Sequence, residues 1–193
     1  SDLEQIKIAK DLGHPVTCGV TAHHLFLSQN DAQKLGPYGK MKPYLKSEKD
    51  VEFLWKNLDQ IDVIESDHAP HTNEEKDSEN PPFGVPGLET TLPLLLTAVN
   101  KEKLTINDIQ RLCHDNPKKI FHIPDLDSTI EIDMNEKYEI KNENLFTKCK
   151  WSSFNGWHMQ GIIKKVLIDK KIVFENGKII AQPGSGRVIT PAV

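Results

Sequence analysis

The stretch that decides the fold is IDVIESDHAPHT, residues 61–72. It begins with an apolar run at 61–64 and continues into one aspartate and two histidines within five residues, Asp67, His68 and His71. A short apolar run before a polar turn is typical of a buried strand that carries functional side chains at its end. The stretch therefore predicts either the mouth of an active site or a polar loop in which Asp67 only caps a turn.

The segments around this stretch alternate helical patterns with short apolar runs. Apolar residues at helical spacing predict a helix over 3–12, and a strand-like run follows at 15–20. Ser47 is placed to cap a second helix, which leads into the strand at 61–64. Two more helices are expected, at about 88–99 and from Thr105 to about Cys113. This alternation is the pattern of an α/β fold with parallel strands.

After about residue 123 the pattern changes to strands. Residues 129–133 alternate apolar and polar side chains in the β manner. Asn176 and Gly177 stand between two apolar runs and favour the two positive φ angles of a type I′ turn. We therefore expect a β hairpin at this place.

Length, charge and composition exclude several classes of function. A chain of 193 residues buries one good core, and its formal charge of −4, with both signs interspersed, gives no footprint for nucleic acid. No apolar run reaches the roughly 18 residues of a membrane helix. Three widely spaced cysteines exclude a disulfide framework and a cysteine-rich zinc site. The composition predicts a soluble, cytoplasmic protein with no nucleic acid or membrane partner.

Asp67 is the first candidate for chemistry. In a parallel α/β fold the carboxyl ends of the strands carry the catalytic groups, and a carboxylate there can bind a metal ion or accept a proton. His71 lies within reach of the same place, and His23 and His24 follow the strand at 15–20 in the same topological position. Taken singly, His24 is more often a packing histidine than a ligand.

Three strings carry a resemblance to a known family: VTCGVTAHHLFL at 16–27, SDHAPHTNEEK at 66–76 and PGLETTLPLLL at 86–96. In this order they resemble the dihydroorotase domain of the animal-type multifunctional pyrimidine-biosynthesis proteins, in the amidohydrolase superfamily. Dihydropyrimidinases share the fold, but SDHAPHT and PGLET fit the dihydroorotases better. The resemblance covers nearly the whole chain.

The resemblance implies a fold: the C-terminal part of a (β/α)₈ TIM-type barrel plus part of a small β subdomain. Residues 1–123 would belong to the barrel, 124–183 to the subdomain and 184–193 to a tail. A complete barrel needs about 250 residues and eight strands, whereas only the runs at 15–20 and 61–64 read as barrel strands. The barrel is therefore expected to be incomplete.

The resemblance also implies a reaction and its residues. The family interconverts N-carbamoyl-L-aspartate and dihydroorotate with zinc. Asp67 would be a zinc ligand and the general base or acid, and His71 would contact the substrate. Phe83 and Gly84 would lie in the loop whose main chain contacts the substrate, and Lys42 stands where the family has an arginine that holds the substrate carboxylate.

Three positions depart from the family pattern. Gly19 stands where animal-type members have a glutamate of an additional zinc site, and it has no side chain to offer. Lys42 keeps the charge of the arginine but lacks its planar fork, which grips a carboxylate with two parallel hydrogen bonds. Phe83 replaces a proline.

The other metal-binding motifs of the family have no counterpart in the chain, so that it alone is expected to be inactive. Two interpretations stay open. The chain is part of a working dihydroorotase, or it belongs to a degenerate dihydroorotase-like domain with a structural or docking role. In both, its partners would be the carbamoyl-phosphate synthetase and aspartate transcarbamoylase parts of the same polypeptide.

Overall fold

The structure is a computed structural model that describes residues 2–190. Within that range the chain forms eight α-helices and six β-strands. None of the helices described there is long and apolar enough to cross a membrane.

The described chain divides into two compact units. The first unit runs to Leu92 and takes in the later segment Ile140–Trp157. The second unit holds Pro93–Glu139 and the chain from His158 onward. This division does not follow the boundary expected near residue 123. That boundary, between the barrel part and the β subdomain, stays a prediction.

The first unit alternates helices with two short strands. In chain order its elements are α1 (Asp2–Asp11), β1 (Gly19–Thr21), α2 (Ala22–Phe26), α3 (Gln29–Leu35), α4 (Glu48–Lys56), β2 (Val63–Glu65), α5 (Asn73–Lys76) and the start of α6 (Leu88–Asn100). Strands β1 and β2 pair in parallel, with Val20 opposite Ile64. Both of these side chains are buried. The α/β alternation expected from the sequence is confirmed.

Strand β1 is shorter than the run at 15–20 suggested. The backbone carbonyl of Cys18 accepts hydrogen bonds from the amides of Asp62 and Val63, at 3.0 and 3.3 Å. The amide of Cys18 donates instead to the Asp62 carboxylate, at 2.7 Å, and Lys10 Nζ donates to the same oxygen at 2.7 Å. The Asp62 side chain therefore replaces a backbone partner of Cys18 just before β1 begins. Through Lys10 the same side chain connects helix α1 to the two strands.

Hydroxyl caps begin several helices as the sequence predicts. Ser47 Oγ accepts a hydrogen bond from the amide of Asp50, and the Asp50 carboxylate accepts one from the Ser47 amide. Thr105 makes the same capping box with Asp108. Each cap satisfies amide groups that a helix leaves free at its start, which stabilises a helix by about 1 kcal/mol.

The helical part of the second unit is longer than expected. A second helical stretch follows α6. It consists of α7 (Ile106–Gln110), a turn of π-helix at Arg111–Asp115 and α8 (Asn116–Ile120), which follow one another without a break. The sequence predicted an end at about Cys113. The π turn ends two residues before Pro117, which has no amide hydrogen to donate. The helix continues through this proline instead of ending before it.

A four-stranded antiparallel sheet completes the second unit. Its strands are β3 (Thr129–Glu139), β4 (His158–Ile168), β5 (Lys171–Glu175) and β6 (Lys178–Ile179), in that order. The turn between β5 and β6 holds Asn176 at φ 47° and Gly177 at φ 77°, which confirms the predicted hairpin. One face carries an apolar row of paired residues, Ile130, Val166, Phe174 and Ile179.

Candidate functional site

Asp67 lies two residues beyond the carboxyl end of β2. Its φ of 42° is in the left-handed region, which aspartate tolerates better than most residues. The side chain is 48% exposed. The strand thus presents a carboxylate to solvent at the strand end where parallel α/β folds carry their chemistry.

A buried histidine faces this carboxylate. Nε2 of His23 is 3.9 Å from Oδ2 of Asp67, and the His23 side chain is 2% exposed. Among the described residues this Nε2 atom has no hydrogen-bond partner. Burial, helped by the neighbouring His24, lowers the pKa of His23 to about 3. His23 is therefore neutral at pH 7 and presents an unpaired polar atom to Asp67.

His24 connects this pair to the segment that carries Lys42. Its ring lies 4.6 Å from that of His23. Nε2 of His24 is 3.0 Å from the carbonyl oxygen of Pro43, and Nδ1 is 2.7 Å from Oγ1 of Thr21. Because a carbonyl oxygen only accepts, Nε2 carries the proton and Nδ1 accepts from the threonine. Burial outweighs the attraction of Asp67 and lowers the pKa of His24.

Lys42 lies over the ring of Phe83. Its Nζ is 4.3 Å from the ring centroid, and Nζ of Lys40 lies 4.7 Å from the same centroid. Tyr44 meets the ring edge-on, at 5.6 Å between centroids. A cation over an aromatic face is attracted by about 0.5–1 kcal/mol at exposed sites. The Phe83 ring thus helps to hold the Lys42 side chain in place.

His71 also contacts the loop that carries Phe83. Its Nε2 is 3.1 Å from the carbonyl oxygen of Phe83, and its Nδ1 is 3.4 Å from Oε2 of Glu75. Gly84 has φ 128°, and a Cβ atom there would lie 2.7 Å from the backbone oxygen of Ala69 and 3.3 Å from Cδ2 of His71. Only glycine fits this close approach without strain.

The residues predicted from the sequence are therefore neighbours within the first unit. One series of contacts runs through Asp67, His23, His24, Pro43, Lys42, Phe83 and His71. Their catalytic and binding roles stay predictions.

Sequence reasoning assigned no role to two residues that build this region, His68 and Lys76. Nδ1 of His68 accepts the amides of Gly87 and Leu88, at 3.1 and 3.3 Å, and so fixes the start of α6. Lys76 is completely buried, although it follows two glutamates in a strongly polar string. The string itself carries no signal for this burial, because the groups that surround Lys76 come from distant parts of the chain.

The space beside Gly19 contains a carboxylate from the neighbouring strand. A Cβ atom on Gly19 would lie 2.2 Å from Oε1 of Glu65 and 3.0 Å from Cγ2 of Val63. Glu65 pairs with Thr21, two residues along β1, so that both side chains are on the same face of the strand pair. The volume next to the glycine is filled by the end of a flexible acidic side chain.

The ligands in this chain do not by themselves fit a metal ion. No group of three histidine, cysteine, aspartate or glutamate side chains is placed to hold one between residues 2 and 190. Asp67 and the unpaired Nε2 of His23 face each other, but zinc sites in proteins have three or four protein ligands. Two donors fall short of that number.

Comparison with known proteins gives several relatives, although no family model matches the chain. Multifunctional protein CAD of Squalus acanthias is 42% identical over 188 residues, which cover 96% of this chain and 8% of that protein. A dihydroorotase of Pyrococcus furiosus is 44% identical over 178 residues, which cover 88% of this chain and 42% of the enzyme. The chain thus spans less than half the length of these relatives.

Solved structures of related proteins also resemble this chain. The L-hydantoinase (dihydropyrimidinase) of Arthrobacter aurescens matches with a TM-score of 0.93 at 27% identity, over 97% of this chain and 46% of that one. The inactive dihydroorotase-like domain of the CAD-like multifunctional protein of Chaetomium thermophilum matches with a TM-score of 0.75 at 31% identity, over 94% of this chain and 50% of that one. The α/β fold is that of the amidohydrolases, and the chain is a relative of the dihydroorotases within that superfamily.

Proposed function

We propose that this chain is part of a dihydroorotase-type cyclic amidohydrolase, which interconverts N-carbamoyl-L-aspartate and dihydroorotate. The observation that carries the proposal is the placement of Asp67 beyond the end of β2, 3.9 Å from the buried His23. In this proposal β1 and β2 are the last two strands of a (β/α)₈ barrel whose other strands lie outside the chain. The sheet of β3 to β6 is then part of the small β subdomain.

Asp67 is proposed to move the proton. In the hydrolytic direction its carboxylate takes a proton from the attacking water and returns it to the ring nitrogen that leaves when the amide bond breaks. In the direction of ring closure the same group works in reverse. Proton transfer by a positioned side chain is typically worth about 10²–10⁴ in rate. The 48% exposure of Asp67 leaves it accessible to water and substrate.

Lys42, His71, Phe83 and Gly84 are proposed to bind the substrate. The Lys42 ammonium would attract a substrate carboxylate, but without the two parallel hydrogen bonds of an arginine. A hydrogen bond to a charged group is worth about 1.5–3 kcal/mol, so the loss of one arm weakens binding by roughly tenfold or more. The contact of His71 with the Phe83 carbonyl supports a shared role of these two residues.

The metal of the complete domain is proposed to be zinc, with Asp67 as the ligand that this chain supplies. All further ligands then come from outside the chain. This requirement follows from the ligand count, since residues 2–190 do not assemble three donors. The chain alone is therefore proposed to be inactive.

The similarity to multifunctional proteins supports a place within a longer polypeptide. We propose that carbamoyl-phosphate synthetase and aspartate transcarbamoylase parts are its partners there.

A second candidate function is a degenerate dihydroorotase-like domain with a structural or docking role. Two observations favour it. Glu65 occupies the space of a side chain at Gly19, and Lys42 stands in place of an arginine. A solved relative at 31% identity is also described as an inactive dihydroorotase-like domain.

Turnover decides between the two candidates. The full-length protein that carries this chain is purified, and hydrolysis of dihydroorotate is measured with added zinc and after removal of metal by a chelator. Zinc-dependent turnover is the expected result and rejects the degenerate domain. Absence of turnover in a folded, zinc-loaded protein rejects the enzyme.

A further inference from the structure

The side chain of Lys76 is fully buried at the end of helix α5. Its exposed fraction is 0%, and it is among the largest fully buried side chains of the described chain. A capping box between Thr72 and Glu75 begins this helix, and Lys76 is its last residue. Lysine is almost never fully buried unless its charge is paired. Within residues 2–190, however, no carboxylate forms an ion pair with Lys76, so other groups must stabilise its charge.

Three backbone carbonyls take that part. Nζ of Lys76 donates to the oxygens of Pro82 and Gly84, each at 3.0 Å, and to the oxygen of Lys40 at 3.4 Å. An ammonium group has three hydrogens to donate, so each has an acceptor. The ring of Trp151 lies 5.5 Å from Nζ, and its Nε1 donates to the backbone oxygen of His71 at 2.6 Å.

These carbonyls belong to the two segments that carry the proposed substrate contacts. The oxygen of Lys40 precedes Lys42 by two residues, and it also accepts the Gly84 amide at 3.0 Å. The oxygens of Pro82 and Gly84 flank Phe83 on either side. One buried ammonium therefore fastens the Lys42 segment to the loop around Phe83.

The same bonds set the direction of a peptide group. In a trans peptide the C=O and N–H bonds point in opposite directions. The carbonyl of Pro82 points at Lys76, so the amide hydrogen of Phe83 points away from it. Loss of the ammonium would loosen both segments and leave the inward-facing carbonyls of Pro82 and Gly84 without this donor, while the Lys40 carbonyl would keep the Gly84 amide.

We propose that Lys76 is a positioning residue of the substrate site, whose buried ammonium fixes the segment of Lys42 and the loop of Phe83 and Gly84 relative to each other. This inference rests on the proposed function. The charge of Lys76 also adds to those of Lys40 and Lys42 beside Phe83, and all three favour an anionic substrate.

The test compares Lys76→Met with Lys56→Met in the full-length protein. Methionine keeps the length of the side chain and removes its charge and donors, and Lys56 is the matched control because its side chain is 74% exposed. We expect Lys76→Met to raise the KM for dihydroorotate at least about tenfold, with kcat changed less than about threefold. Lys56→Met keeps wild-type values. A KM of Lys76→Met within about twofold of wild type overturns the proposal, even where the variant is less stable.

A second variant covers the case in which Lys76→Met does not fold. Lys76→Gln keeps two N–H donors, and we expect a KM between those of wild type and of a site without donors. If Lys76→Gln folds, as judged by circular dichroism, and has the wild-type KM, the proposal is overturned.

Hydrogen exchange separates this proposal from the proposed function. If the wild-type protein neither turns over nor binds dihydroorotate, the proposed function fails, and amide exchange then decides the role of Lys76. We expect Lys76→Met to accelerate exchange in both peptides, around Lys40–Lys42 and around Phe83–Gly84, while Lys56→Met leaves them unchanged. Equal exchange in wild type and Lys76→Met contradicts the positioning role.

Discussion

At the scale of single residues, the candidate site holds two pairs of residues that constrain each other. Gly19 and Glu65 share one volume, since a Cβ on the glycine would lie 2.2 Å from the carboxylate. Lys42 and Phe83 contact each other, with 4.3 Å between Nζ and the ring centroid. Each pair gives a prediction of its own.

Gly19 and Glu65 are expected to be energetically coupled. Gly19→Ala forces the Glu65 carboxylate to move and destabilises the domain, whereas Glu65→Ala frees the space that the new methyl group needs. We expect a coupling energy of about 0.5–3 kcal/mol in the double-mutant cycle. The alanine at 19 should cost less in the Glu65→Ala background, where Cγ2 of Val63, 3.0 Å from the new Cβ, still has to shift. Urea unfolding of the full-length protein and its three variants measures this. Free energies that add within about 0.5 kcal/mol would contradict the shared volume.

Lys42→Arg is expected to improve substrate binding. The guanidinium group keeps the stacking on Phe83 and adds the second parallel hydrogen bond to a carboxylate. The KM for dihydroorotate should fall about tenfold, and Lys42→Met should raise it. Steady-state kinetics of the two variants provides the measurement. If both variants bind the substrate as the wild type does, Lys42 does not hold the substrate carboxylate.

At the scale of helices and strands, the sequence predicted the features that depend on residues close together in the chain. Ser47 and Thr105 cap their helices, and Asn176-Gly177 turns its hairpin, because side-chain bonds and φ preferences act over three or four residues. Strand β1 began later than predicted because Asp62, far along the chain, binds the Cys18 amide. The burial of Lys76 was likewise not predicted, because one of the carbonyls that surround its ammonium, that of Lys40, is distant in the sequence.

The cluster around Asp62 gives a prediction for the stability of these elements. Burial opposes ionisation of Asp62, but the bonds from Lys10 and Cys18 outweigh it and lower the pKa of the carboxyl group. A lowered carboxyl pKa stabilises the fold above the unfolded value of about 3.9, and this contribution is lost as the pH falls through the folded pKa. Asp62→Asn is therefore expected to cost about 1–3 kcal/mol at pH 7.

The free energy of unfolding of wild type and Asp62→Asn is measured in urea at pH 7 and at about pH 3, with Asp59→Asn as the control. Asp59 is exposed and its replacement should change little. The difference between wild type and Asp62→Asn is expected to shrink at the lower pH. A difference that is the same at both pH values would mean that the charge of Asp62 does not stabilise the docking of α1.

At the scale of the whole molecule, the two described β1 and β2 strands form a parallel pair with no further strand on either side among residues 2–190. Parallel sheets are normally covered on both faces, and open edges and apolar faces invite association. The sequence predicted this pair, because the runs at 15–20 and 61–64 were the only strand-like runs between its first four helices. The sequence did not place Asp67 opposite His23, since that distance depends on the register of β1 and β2.

The isolated 193-residue chain is therefore expected to aggregate, to bind zinc weakly and to show no turnover. Light scattering after gel filtration, thermal unfolding and metal analysis of the purified chain, beside the full-length protein, test this. A monomeric chain with one sharp, two-state unfolding transition would contradict it.

The most direct test of the central claim, that Asp67 moves the proton in dihydroorotate hydrolysis, is the kcat of Asp67→Asn in the full-length protein with zinc present. Asp59→Asn serves as the matched control. We expect Asp67→Asn to lower kcat by about 10²–10⁴ while the control keeps the wild-type rate. An Asp67→Asn protein that keeps more than about a tenth of the wild-type kcat would mean that Asp67 does not move the proton.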